Sequence, residues 1–322
     1  GRFGNNLLYE FNTSLGSRTY LTDGTEDGTN LIFEGGTLAA KELDGFIYGT
    51  VYSGIHDEYV LYRSDGTQLG TEILNHLGIN FSSYPWIHKI GNKFIINAGS
   101  PEEGTELHFS FGVADDILLL KDIYPGSNSS FSRSLVNYND KIIFAANDGI
   151  HGTELWSTDG TEEGTNMILD LKTGTKSSVI DEVVNLNSKI YFKVGSSLFL
   201  GDLWSTDGTS EGTSFEEDFF AFIILGKSDN DLLIYESGKF WRLNVITNEK
   251  SLVLDITGMS NSFGLGLSTL KINDNLYFDF RTAELGREKW KWNTLNNSIG
   301  VVKDIFPGVG AATVSGPGNS NY

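Results

Sequence analysis

The residues of this chain best equipped for chemistry are imidazoles and carboxylates in turn-rich stretches, and one isolated tryptophan. His56, Asp57 and Glu58 are contiguous, Glu102 and Glu103 are adjacent, Asp148 stands three residues before His151, and Glu284 and Trp86 complete the set. Imidazole beside carboxylate can orient a proton or hold a polar ligand. Trp86, directly after Pro85, offers a flat face on which a sugar could stack. Gathered on one face, these residues would form an acidic, histidine-bearing binding cluster. The plain alternative for each is solvated loop charge, and for Trp86 core packing. The five histidines (His56, His76, His88, His108 and His151) lack metal-ligand spacing, and with no cysteine there is neither a thiolate site nor a disulfide framework. No nucleophile elbow, phosphate loop or zinc-protease motif occurs, so no catalytic residue is assigned.

The elements that must position these residues are repeats. Leu155-Trp156-Ser157-Thr158-Asp159-Gly160-Thr161 returns as Leu203-Trp204-Ser205-Thr206-Asp207-Gly208-Thr209, 48 residues later, each copy followed by a second Gly-Thr. Weaker copies run through Asp23-Gly24-Thr25 and Asp65-Gly66-Thr67. Two landmarks each occur seven times: a polar residue closing an apolar stretch (Glu34, His76, Asp122, Asp170, Asp218, Asp255, Asp304) and a short apolar run such as Ile142-Ile143-Phe144. Each unit of about 46 residues reads as four short strands bounded by Asn-Asp, Asp-Gly and Pro-Gly turns. The expected fold is therefore all-β: a seven-bladed β-propeller of four-stranded antiparallel blades, a single domain spanning residues 1–322. Six or eight blades are the alternatives. Ala311-Ala312-Thr313-Val314 would supply the first strand of a blade whose second strand is Leu7-Leu8-Tyr9, closing the ring.

Within this frame Trp156, Trp204, Trp241 and Trp290 occupy one strand position and are expected to pack between blades, with His108 in the same place. The Asp-Gly-Thr-x-x-Gly-Thr loops would suit calcium if any cofactor were present, but Asp capping its own turn, Gly and Thr already account for them. One carboxylate per blade is also too few for a calcium cage, so no cofactor and no metal is expected.

The phrase Glu154-Leu155-Trp156-Ser157-Thr158-Asp159-Gly160-Thr161-Glu162-Glu163-Gly164-Thr165 resembles the bacterial repeat named for its consensus, ELWxxDGTxxGT. Lys121-Asp122-Ile123-Tyr124-Pro125-Gly126-Ser127 and Lys303-Asp304-Ile305-Phe306-Pro307-Gly308 resemble that family's linker between blades. The resemblance implies an exported propeller on the outer surface of a bacterium, often a substrate of type nine secretion. It brings no shared catalytic residues.

Composition narrows the partners. With 42 acidic against 23 basic residues the net charge is −19, which disfavours nucleic acid and anionic membranes. No apolar run reaches membrane-spanning length. The expected function is a non-enzymatic surface module that binds another cell-surface or secreted protein. A glycan-binding propeller is the alternative, and a propeller glycoside hydrolase or lyase, with carboxylates drawn from separate blades, is the third reading.

Overall fold

The computed structural model describes residues 2–13, 16–53, 58–74, 80–81, 87–130, 133–195, 201–219, 222–257, 270–282 and 285–304. All regular structure among them is β, in two compact units, Gly1–Ser178 and Val179–Asn321.

The first unit holds four sheets, each an antiparallel meander in chain order. They are β1 (Arg2–Phe3), β2 (Asn6–Thr13), β3 (Gly16–Thr22) and β4 (Thr29–Phe33); then β5 (Thr37–Leu43), β6 (Phe46–Ser53), β7 (Glu58–Ser64) and β8 (Thr71–Ile73). The third sheet begins with the short β9 (Asn80–Phe81), which pairs with β11, and continues through β10 (Ile87–Ile90), β11 (Lys93–Ser100), β12 (Gly104–Ser110) and β13 (Leu118–Lys121). The fourth is β14 (Arg133–Tyr138), β15 (Lys141–Asn147), β16 (Thr153–Thr158) and β17 (Asn166–Leu169).

The second unit holds three sheets of the same order: β18 (Val179–Leu186), β19 (Lys189–Gly195), β20 (Gly201–Thr206) and β21 (Ser214–Phe219); β22 (Phe222–Ser228), β23 (Asp231–Glu236), β24 (Lys239–Asn244) and β25 (Glu249–Asp255); β26 (Leu270–Ile272), β27 (Asn275–Thr282), β28 (Gly286–Asn293) and β29 (Ser298–Val301). Among the described residues seven sheets are thus present, each a meander of four strands, with β9 added beside β11 in the third, and the expected blade count is met. The ring-closing segment Ala311–Val314 lies outside the described residues. Beside β2 the structure places the chain's own first residues, with Arg2 opposite Leu7 and Phe3 opposite Asn6.

Within each unit the core lies between successive sheets. Ile95, Leu107, Ile142, Phe144 and Trp156 form one cluster, and Phe240, Phe278, Phe280, Trp290 and Trp292 another. The tryptophan column follows the expected register: Trp156 faces Phe144, Trp204 faces Phe192, Trp241 faces Ile234, Trp290 faces Phe278 and His108 faces Ile96. At this column the pairing of third and fourth strands slips in five sheets, as between Leu155 and Trp156, and such a bulge re-aims the side chains beside it.

The Asp-Gly-Thr loops are self-contained turns. Asp159 Oδ1 accepts the Thr161 N–H and Oγ1–H at 2.9 and 2.7 Å, Thr161 Oγ1 accepts the Gly164 N–H at 2.9 Å, and Thr165 Oγ1 donates to the Thr161 carbonyl at 2.6 Å. The same set recurs at Asp23, Asp65 and Asp207. The threonine hydroxyl holds each of these carboxyls below the usual carboxylate range. A Cβ at Gly164 would stand 2.1 Å from Asp159 Oδ1, which is why glycine closes the motif.

Candidate functional site

The hairpin between β15 and β16 carries Asp148 and His151. Its shape comes from local capping: Asn147 Oδ1 accepts the Gly149 N–H at 2.7 Å, and Asp148 Oδ1 accepts the N–H groups of Ile150 and His151 at 2.9 and 2.8 Å. Asp148 Oδ2 meets His151 Nδ1 at 2.6 Å. Burial pushes the Asp148 carboxyl up, but the His151 and Ile150 donors outweigh it and bring it below its ordinary value. The hydrogen bond from Asp148 raises the His151 pKa, and the nearby charges of Asp170 and Glu154 add to it. With Nδ1 held and the side chain 36% exposed, Nε2 is the imidazole atom left to meet a ligand or exchange a proton.

Glu102 and Glu103 do not join this pair. Glu102 is exposed in the turn between β11 and β12. Glu103 donates its N–H to Ser100 Oγ at 3.2 Å and directs its carboxylate to His108 Nε2 at 3.7 Å. His108 is buried and burial lowers its pKa, so the contact acts as a packing anchor in the tryptophan column. Glu58 opens β7 in the backbone description, while Trp86, His56, Asp57 and Glu284 lie outside the described residues. The sequence-derived cluster therefore resolves, where described, into two separate pairs. Among the described residues no three His, Asp or Glu side chains converge to hold a metal.

Sequence reasoning missed the glutamate of the repeat itself. Glu106 and Glu154, fully buried on β12 and β16, reach the linkers that follow their sheets. Glu106 Oε2 accepts the Ile123 N–H at 3.1 Å, and Oε1 accepts those of Tyr124 and Ser130 at 3.2 and 2.9 Å. Glu154 Oε2 accepts the Leu171 N–H at 2.7 Å and the Ser178 hydroxyl at 3.0 Å. Burial pushes the Glu106 carboxyl up to about 7 against these donors, and raises Glu154 as well. Gly104, at φ +68°, makes room here, since a Cβ would sit 1.9 Å from the Asn128 carbonyl oxygen. The available signal was glutamate recurring at 106, 154 and 288 where a sheet position points inward.

His88, also buried, ties the third sheet to the fourth. Its Nδ1 lies 2.6 Å from Asn137 Oδ1, while Asn137 Nδ2 donates to the Lys89 carbonyl at 2.7 Å. Nδ1 is therefore the donor, and burial lowers the ring to about 4.

No family model matches the chain, and no curated protein does. Solved structures do share its fold. Prolyl endopeptidase superposes at TM-score 0.57 with 8% identity, covering 94% of this chain and 48% of that one. Puromycin hydrolase gives 0.53 with 12% identity, 94% and 52%. The computationally designed Ika8 protein gives 0.55 with 12% identity, 96% and 86%. At these identities the likeness shows the fold alone, a β-propeller-like array of four-stranded blades. The chain spans about half the length of the peptidases it matches.

These matches correct the expectation of a non-enzymatic surface module and its glycan-binding and glycosidase alternatives. The fold recurs across 94% of the chain in peptidases. The reason for the miss is physical: the repeat phrase encodes turns, a bulge and a linker clasp, and so describes a blade and not an activity.

Proposed function

We propose that this chain is the peptide-handling propeller domain of a peptidase-type protein. It receives peptide substrates, and bond cleavage falls to residues corresponding to the part of the solved peptidases that it does not match. The observation that supports this is the coverage: nearly all of this chain against about half of each peptidase. Its acidic surface suits the reading, since a net charge of −19 draws in basic peptides. Incubating the purified chain with a fluorogenic prolyl peptide should give binding without turnover. Turnover would place the cleaving residues within this chain and contradict the division of labour; absence of both would contradict the reading itself.

In the same reading the seven sheets close into a ring, with the tail near Ala311–Val314 adding a strand to the first sheet. Removing residues 305–322 should then lower the melting temperature by about 2–3 °C, as loss of a strand pairing worth about 1–2 kcal/mol would in a chain of 322 residues. An unchanged melting temperature would contradict closure.

A further inference from the structure

The hairpin that carries Asp148 and His151 is wedged between two linkers. A Cβ at Gly149 would stand 2.5 Å from the ring of Tyr124, in the linker before the fourth sheet. One at Gly152 would stand 2.9 Å from the backbone of Lys176 and Ser177, in the linker after it. The Asn147 N–H donates to the Ser130 carbonyl at 3.0 Å, and the Thr153 N–H to Ser177 Oγ at 3.1 Å. The loop is thus fixed on both sides, yet it holds Ile150 out, 66% exposed. Side chains on a loop already fixed lose little further freedom when a ligand docks.

The chemistry of the imidazole follows from its partner. Asp148 is occupied by the hairpin itself: Oδ1 accepts two backbone N–H groups and Oδ2 faces His151 Nδ1. An ionised carboxylate only accepts, so Nδ1 carries a hydrogen and, in the neutral ring, Nε2 presents a lone pair. Among the described residues nothing donates to Nε2. The carboxylates around the ring are Asp148 on its own loop, Glu154 on β16, and Asp170, whose neighbour Leu171 donates to Glu154. Tyr124 on the preceding linker, with Lys172 and Lys176 on the following one, completes the titratable groups of the packed elements. Three carboxylates against two amines favour a cation as the donor to Nε2.

We propose that His151 Nε2 receives the α-ammonium group of a bound peptide, with Ile150 as the apolar contact beside it. The inference rests on the peptide-handling reading and gives it a polarity, the amino end being held at the fourth sheet. A protonated ring would meet the ammonium as a like charge, so the contact needs a neutral imidazole and a charged amine. Asp148 holds the ring above its ordinary 6.5. A peptide α-amine titrates at about 7.7–8.0, so the contact is strongest near about pH 7.5 and weakens on both sides.

Calorimetric titration of the full chain with Ala-Ala-Pro-Ala, its N-acetylated form and N-acetyl-Ala-Lys-Pro-Ala tests this. At about pH 7.5 the free amine should bind at least about tenfold tighter than the acetylated form, and the advantage should shrink below about pH 6 and above about pH 9. His151→Leu should abolish the advantage. Asp148→Asn, which keeps an oxygen for the hairpin N–H groups, should move its acid limb to lower pH. An advantage that persists in His151→Leu, or an acid limb that stays in place in Asp148→Asn, would overturn the site. Free and acetylated peptides binding alike would overturn it too and leave the peptide-handling reading standing. No binding of either would overturn that reading and this site with it. The lysine peptide binding as tightly as the free amine would overturn the assignment to a peptide terminus.

Discussion

Replacing Glu106 with alanine is expected to lower the unfolding free energy of the first unit by roughly 3–5 kcal/mol, among the largest effects of any single substitution in the chain. Three linker N–H groups, from Ile123, Tyr124 and Ser130, converge on this one buried carboxylate. Each orphaned buried donor costs about 1–3 kcal/mol. Relief of the buried charge offsets part of the sum, which is why the expectation stays below the simple total. Glu106→Gln keeps the volume and one acceptor oxygen. If that oxygen serves Tyr124 and Ser130, the amide nitrogen faces the Ile123 donor, for a loss of roughly 2 kcal/mol. Urea unfolding at neutral pH checks the order: wild type, then Gln, then Ala. Equal midpoints for wild type and Ala would show that the clasp contributes nothing.

A second large effect is hidden in the pH profile. Glu106 titrates at about 7 in the folded chain against about 4.5 unfolded. Its raised value means that the folded state binds the proton more tightly, so its stabilisation is fully present below about 4.5 and is lost as pH rises to about 7. His88 works the other way. Its folded value of about 4 against 6.5 means stabilisation present above about 6.5 and lost as pH falls toward 4. Each shift corresponds to roughly 3 kcal/mol at the end of its window. Between about 4.5 and 6.5 the two slopes nearly cancel. The difference between each variant and wild type isolates one group: relative to wild type, Glu106→Gln should lose stability progressively from pH 7 down to 4.5, and His88→Gln should gain over 6.5 down to 4. Urea midpoints at half-unit intervals measure both. Differences that do not vary with pH would contradict the assignment.

Much of the architecture was legible because it rests on local chemistry. Asp-Gly-Thr with a later Gly-Thr is a closed hydrogen-bonded turn wherever it occurs, so the copies at 23, 65, 159 and 207 located third and fourth strands directly. The tryptophan column was equally readable, since period-two alternation fixes which neighbours Trp156 and Trp290 must face. The site was harder. Asp148 and His151 are three residues apart, and their contact is local; Glu103 turned inward to His108, a choice made by burial that no spacing reveals. Glu106 was not singled out because its partners, 17 to 24 positions away, are backbone groups without sequence identity.

The central claim is that this propeller handles peptides, and equilibrium binding measures it most directly. Fluorescence anisotropy with labelled unstructured octapeptides should be run at 0.3 M salt to suppress non-specific attraction to the acidic surface. The same sequences displayed on a folded carrier domain serve as competitor. The account predicts saturable binding of the free peptides at least tenfold tighter than of the folded carrier. Equal affinity for both, or no binding of the free peptides, would contradict it.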